Sequence, residues 1–270
     1  MLVAPEIPFE VIAQTAASFL DPSIAISAIQ AGHSGVFDLE FADLRDERTA
    51  KVLRRFATSC AGPLGLKLRG DSAPIDELPA AVLDRLRTVI LTPAAPPTLS
   101  RSVKLFRARG PASLRLLLEA VSPEEAELAK VVHCDGIVAK GNESGGRVGE
   151  STTFILLQQL RSTTELPVWA QGGIGLHTIA AAYVAGAAGV VVDQQLLLTR
   201  ESRLPDALRK TVARMDGSET QCLGDELGCS YRIFAGPASA AFNNINRTAR
   251  RLANEGEPAE AGKTWRESLR

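Results

Sequence analysis

Apolar positions in the first three quarters of the chain fall into short runs, separated by longer stretches in which they recur every three or four residues. The short runs read as strands and the longer stretches as amphipathic helices. In order, the expected strands are Phe9–Ala16, Ser34–Phe41, Leu64–Leu68, Thr88–Leu91, Ser113–Val121, Asp135–Ala139, Leu166–Ala170 and Ala188–Val192. Between them the spacing predicts helices over Ile24–Gln30, Glu47–Ser59, Ile75–Leu86, Leu99–Arg109, from Pro123 onward, Thr152–Arg161 and His177–Ala185. Boundary signals agree with this pattern. Asp21-Pro22-Ser23 offers a cap and an N1 proline, and Gly32 ends that helix. Ser122-Pro123-Glu124-Glu125 places a cap, a proline and a capping-box glutamate in register.

Eight strand–helix steps with short connections and apolar strands predict a parallel (β/α)8 TIM barrel of the α/β class. A doubly wound open sheet is the alternative. The longest apolar run, Ile179 to Val192, divides at Gly186 into a helix and a strand, and is too short to span a bilayer. Past Pro205 the pattern changes. Asp206–Met215 reads as a helix, Asp216–Gly236 as a turn-rich stretch and Ala238–Asn254 as a further helix. Three units follow: a barrel over 1–204, a helical and turn-rich appendage of the same domain over 205–254, and a linker or the start of a further region over 255–270. The last segment carries no stop signal, which favours a piece of a longer polypeptide.

The chain has 30 Lys and Arg against 31 Asp and Glu, with 45% hydrophobic residues. That balance argues against nucleic-acid binding and against disorder. The four cysteines form no C-x-x-C pair, so neither a disulfide framework nor a zinc site is expected, and no other metal site is. The N-terminus lacks a basic n-region, and the expected location is the cytoplasm.

Barrel chemistry sits at the C-terminal strand ends. Two glycine-rich loops follow strands six and seven there: Gly141-Asn142-Glu143-Ser144-Gly145-Gly146-Arg147-Val148-Gly149 and Gln171-Gly172-Gly173-Ile174-Gly175. Glycine lets backbone N–H groups approach an anion closely, and a following helix N-terminus adds positive potential. The plainer reading of Gly172-Gly173 is a tight turn. Lys67 ends strand three at the same mouth, either solvated or facing a bound group. Asp38 and Glu40 alternate along strand two and Glu119 lies late in strand five. Glu40 or Glu119 is a candidate proton donor, and pairing with Lys67 or Arg115 is the structural alternative. His33 and His133 precede strands, opposite the expected site, and His177 opens a helix.

The stretch from Asp135 to Ser202, especially GNESGGRVGESTTFILLQQL and PVWAQGGIG, resembles the nitronate monooxygenase family. It is most similar to the branch of flavin-dependent enoyl-acyl-carrier-protein reductases and to domains embedded in polyketide and polyunsaturated fatty acid synthases. The resemblance implies a TIM barrel with FMN, NAD(P)H as reductant, and an acyl thioester on a carrier protein or coenzyme A as substrate. It implies contacts to the flavin from Gln14, Lys67, Glu143, Ser144, Gly145, Gly146, Gln171 and Gln194, with Gly172 and Gly173 at the phosphate. Three positions depart from the family pattern. Arg147 replaces the usual histidine, Asp193-Gln194 replaces Gly-Thr, and Thr15-Ala16 follows Gln14 in place of a glycine-methionine pair.

An arginine stays protonated near neutral pH, so Arg147 is expected to orient a thioester carbonyl or to bind the phosphate of a pantetheine arm in place of acid–base chemistry, with Glu143 as the second catalytic candidate. The expected function is an FMN-dependent enoyl-thioester reductase domain. A nitronate monooxygenase-like oxidase, and a flavin-free docking or structural barrel in a megasynthase, are the alternatives. For docking, Arg247, Arg250 and Arg251 would face an acidic partner. Neighbouring synthase domains and a homodimer are left open.

Overall fold

The computed structural model describes residues 8–17, 19–71, 74–236, 239–255 and 258–269. Its centre is a closed barrel of eight parallel strands. They are β1 (Glu10–Gln14), β2 (Ser34–Asp38), β3 (Leu64–Leu68), β4 (Leu86–Leu91), β5 (Arg115–Ala120), β6 (Gly136–Lys140), β8 (Val168–Gln171) and β9 (Gly189–Val192). The two-residue β7 (Gly146–Arg147) lies outside the barrel. Pairing of β1 with β9, Glu10 opposite Gly189 through Ala13 opposite Val192, closes the ring. The TIM-barrel expectation is met, and the open sheet is excluded.

Strand alternation sorts the side chains into two apolar clusters. Ile12, Val36, Ile90, Leu117, Val138, Trp169 and Val191 fill the barrel interior. Their neighbours, among them Phe37, Leu66, Leu68, Leu116, Leu118, Ile137 and Ala170, face the outer helices. The same period of two fixes what comes next along each strand. Two residues beyond the interior apolar layer stand Gln14, Asp38, Lys140, Gln171 and Asp193, and Lys67 and Glu119 reach the same level. The C-terminal layer of the barrel is therefore polar and charged although it is buried.

The flanking helices are α1 (Ser23–Gln30), α2 (Glu47–Ser59), α3 (Ala80–Leu83), α4 (Pro96–Arg109), α5 (Pro123–Val131), α6 (Thr153–Thr163) and α7 (Ile179–Val184). Two depart from the sequence pattern. The helix expected over 75–86 is a 3-10 turn, Pro74–Glu77, then the single turn of α3, because Pro79 has no N–H to continue the ladder. α4 starts three residues early, since Pro96 and Pro97 suit the first turn. At α5, Ser122 accepts from the Glu125 N–H as expected. The Glu125 carboxylate instead accepts from the Val121 N–H at 3.0 Å and turns toward Arg147.

Beyond the barrel, α8 (Asp206–Val212) leads to β10 (Thr220–Leu223) and β11 (Tyr231–Phe234). With β7 these form a three-stranded antiparallel sheet in the order β10-β11-β7. The turn-rich expectation for 216–236 thus missed a hairpin, whose connection bends at Gly224 and Gly228, both with left-handed backbone. Helices α9 (Ala240–Glu255) and α10 (Pro258–Ser268) follow. The linker expected over 255–270 is corrected on its described part. Trp265 in α10 is fully buried against Tyr231 and donates to the Cys229 carbonyl at 2.9 Å. No helix among the described residues is long and apolar enough to cross a membrane.

Candidate active site at the barrel mouth

The charged layer is one connected cluster. Lys67 Nζ lies 2.8 Å from Glu40 Oε2, 2.8 Å from Glu119 Oε2 and 3.5 Å from Asp38 Oδ2. Lys140 Nζ approaches the same Glu119 at 3.4 Å. Burial opposes charge in such a cluster, and the ion pairs offset that cost. For Lys67 burial works toward loss of the proton, but the carboxylates of Asp38, Glu119 and Glu40 outweigh it and hold its pKa well above the ordinary lysine value. Burial likewise pushes Glu119 up, and Lys140, Lys67 and Arg147 together pull it below its usual range. Asp38 goes the other way. Desolvation dominates the pull of Lys67 and raises its pKa to about 6.

Above this layer lies a cavity of about 300 Å³, whose walls include Gln14, Asp38, Lys67, Lys140, Gln171 and Asp193. Tyr231 and Ile233 of β11 and Ile245 of α9 also line it, so the appendage completes the mouth. Gln14 Oε1, Gln171 Oε1 and Ser144 Oγ are among the buried polar atoms around this region that have no hydrogen-bond partner in the protein. The two carboxamides are oriented by their nitrogens. Gln14 Nε2 donates to Asp38 at 3.1 Å and Gln171 Nε2 to Asp193 at 2.7 Å. Two acceptors are thereby left without a protein donor, the kind of orphan a polar ligand satisfies.

The loop after β8 supplies donors. Gly172 and Gly173 have φ of +111° and +59°, a backbone only glycine adopts without strain. A side chain at Gly172 would also collide with Ser144 Oγ and Thr153 Oγ1. Among the described residues, the N–H groups of Gly172, Gly173 and Ile174 have no backbone acceptor. The loop after β9 is more closed. Asp193 caps the Gln194 N–H at 2.7 Å, the Asp193 N–H donates to Gln195 Oε1 at 3.1 Å, and Gln194 Oε1 accepts from the Gly145 N–H at 3.1 Å.

Of the residues named from the sequence as flavin contacts, Gln14, Lys67, Gly145, Gly146, Gln171 and Gln194 line the cavity. The two expected catalytic groups do not. Glu143 accepts from the Thr153 N–H and hydroxyl, both at 3.0 Å, and so caps α6. Arg147 turns away and forms a bidentate pair with Glu125 at 2.7 and 3.0 Å. A guanidinium held this way is not available to orient a carbonyl in the cavity. Glu40 and Glu119 do meet Lys67, whereas Arg115 pairs with Glu10 at the opposite end of the barrel. His33 and His133 lie at that far end, and His177 is exposed. Lys140 went unremarked as a site residue, although its parity with interior Val138 points it inward. Among the described residues no cluster of metal-ligating side chains occurs.

Comparison with known proteins now decides the family. The model of the nitronate monooxygenase family matches residues 81–236, more than half of the chain. The chain belongs to the nitronate monooxygenase family. That family is one of flavin-dependent oxidoreductases. A nitronate monooxygenase of Pseudomonas aeruginosa is 32% identical over 50% of this chain and 40% of its own length. A (3aS,4S,5R,7aS)-5-hydroxy-7a-methyl-1-oxo-octahydro-1H-indene-4-carboxyl-CoA dehydrogenase of Mycobacterium tuberculosis is 24% identical over 96% of this chain and 74% of its own. The Rhodococcus jostii protein of that name is 38% identical, over 28% of this chain and 22% of its own length. The chain thus spans well under half of two of these three curated relatives.

Among solved structures, FabK from Thermotoga maritima superposes with a TM-score of 0.74 at 21% identity, covering 96% of this chain and 78% of that one. The enoyl reductase domain of MlnA from Bacillus amyloliquefaciens gives 0.64 at 13% identity, covering 90% and 67%. At such identities these likenesses bear on the fold.

The residues present fit a flavin. The orphaned oxygens of Gln14 and Gln171 suit the N–H and hydroxyl groups of its ring and ribityl chain, and the open amides of Gly172 and Gly173 suit a terminal phosphate. Two carboxylates are set against that phosphate: Asp193 at the cavity wall and Glu143, whose side chain packs beside Gly173.

Proposed function

We propose that this member of the nitronate monooxygenase family is an FMN-dependent enoyl-thioester reductase domain, recharged by NAD(P)H, of the kind found in polyketide or fatty acid synthases. A bound flavin supplies hydride transfer. Gln14 and Gln171 hold its ring and ribityl chain, and Gly172 and Gly173 its phosphate. Reduction at the β-carbon of an enoyl thioester throws negative charge onto the thioester oxygen. Lys140, buried at the cavity wall with its Nζ 3.4 Å from Glu119, is the lysine placed to stabilise that charge, while Lys67 holds the carboxylates beside it in place. Asp38, with its pKa raised to about 6, can hold or release a proton near neutral pH.

The observation that carries this reading is the charge of the layer. Lys67 and Lys140 face Asp38, Glu40, Glu119 and Asp193, so carboxylates outnumber ammonium groups, while Arg147 and Glu125 neutralise each other. A cavity of net negative charge favours a neutral enoyl thioester over an anionic nitronate. The test supplies purified protein with FMN and compares two substrates. Thioester-dependent NADH or NADPH oxidation, without oxygen uptake on alkyl nitronates, is expected. Oxygen uptake on nitronates without thioester reduction would reverse the assignment, and inactivity on both, with no flavin bound, would favour a docking barrel.

A further inference from the structure

A second cavity, of about 80 Å³, lies beside the first and shares Glu40, Phe41 and Tyr231 with it as a common wall. Its other walls bring together three arginines from distant parts of the chain: Arg69 after β3, Arg147 in β7 and Arg266 in α10. Two of these are paired. Arg69 Nε donates to Asp71 at 2.8 Å, and Arg147 forks onto Glu125. Glu40, the remaining carboxylate in the wall, is bound to Lys67 in the barrel. Arg266 has no carboxylate within ion-pair distance among the described residues, and its buried Nε–H has no acceptor. The Arg147 side chain, 9% exposed, also keeps a buried Nε–H without a hydrogen-bond acceptor, with Glu119 Oε1 3.7 Å away. A half-buried cation that shares the charge of Asp71 with Arg69, together with two buried Nε–H donors that lack acceptors, favours an incoming anion.

We propose that this cavity takes the phosphate of a phosphopantetheine arm, with Arg266 as its principal contact, while the thioester end of the arm passes Tyr231 and Phe41 into the barrel mouth. The proposal rests on the thioester reading of the first cavity. The space admits a phosphoryl group and little more, which excludes a nucleotide as the part bound there. The phosphate site exists only because α10 folds back, so the C-terminal helix becomes part of substrate binding.

The arm occurs on coenzyme A and on carrier proteins, and both share this phosphate. Binding is measured on the protein as purified, by isothermal titration calorimetry, with pantetheine, 4′-phosphopantetheine and coenzyme A. Phosphopantetheine is expected to bind at least about tenfold more tightly than pantetheine, a preference lost in Arg266→Gln and kept in Arg266→Lys. Coenzyme A binding as well as phosphopantetheine identifies it as a source, and weaker binding identifies the carrier-borne arm. Equal binding of pantetheine and phosphopantetheine, or an unchanged preference in Arg266→Gln, would overturn the proposal. No flavin enters this measurement, so its failure is separate from failure of the flavin reading.

Discussion

Asp38→Asn should make the protein more stable at neutral pH, although it removes one arm of a buried ion-pair cluster. Asp38 is 3% exposed, and burial lifts its pKa from 3.8 to about 6 in spite of Lys67 at 3.5 Å. At about 1.4 kcal/mol per pH unit, that gap means the folded state disfavours the ionised carboxylate by about 3 kcal/mol. The native state therefore holds a proton that the unfolded chain releases. Stability from this group is full below about pH 4 and is lost as pH rises through about 6. An asparagine keeps the shape. Its oxygen still accepts from the Glu40 N–H, now at 2.9 Å, and its amide can donate to Gln14 Oε1, which has no partner, once the Gln14 carboxamide turns over. Urea unfolding followed by tryptophan fluorescence, run on both proteins across this range, reads the effect. The two should be nearly equal near about pH 4, with the variant ahead by up to about 3 kcal/mol near about pH 7.5, or roughly 6–12 °C in melting temperature. A difference that stays constant with pH, or a wild type that is more stable at the alkaline end, would refute the reasoning.

Lys67→Met leaves Asp38, Glu40 and Glu119 without their shared cation and should cost about 3–5 kcal/mol near neutrality, a loss that shrinks in acid as the carboxylates take up protons; unfolding at two pH values checks it. Trp265→Ala opens a void between α10 and β11 and should cost about 3–5 kcal/mol in the same assay, whereas a true linker would show no change. Asp193→Asn removes one charge set against the phosphate while keeping an oxygen to cap Gln194, and should tighten FMN about tenfold in a fluorescence titration, with the gain shrinking at high salt.

Period-two and helical spacing carried the barrel, because eight buried strands impose that pattern repeatedly on the sequence. The boundaries that slipped did so at proline, as at Pro79 and Pro96. The sheet over the mouth was not legible. Thr220–Leu223 and Tyr231–Phe234 are four residues each, too short to show alternation, and Gly146–Arg147 is shorter still. The same holds for chemistry. Lys67 was visible at the end of its strand, and Gln14 and Gln171 came through the family resemblance. The fates of Arg147 and Glu143 depend on partners 22 and 10 residues away, Glu125 and Thr153, which no local pattern links. Glu125 looked like an ordinary capping-box residue, and its second task of neutralising Arg147 appears only when β7 and α5 meet.

The central claim, that the barrel mouth holds a flavin through Gln14 and Gln171, is tested most directly by titrating FMN with the protein and following flavin fluorescence. The account predicts saturable quenching at one FMN per chain, weakened at least about tenfold when Gln14 and Gln171 are both replaced by leucine. Flavin fluorescence that the wild-type protein leaves unchanged, or a double variant that binds as tightly as wild type, would contradict it.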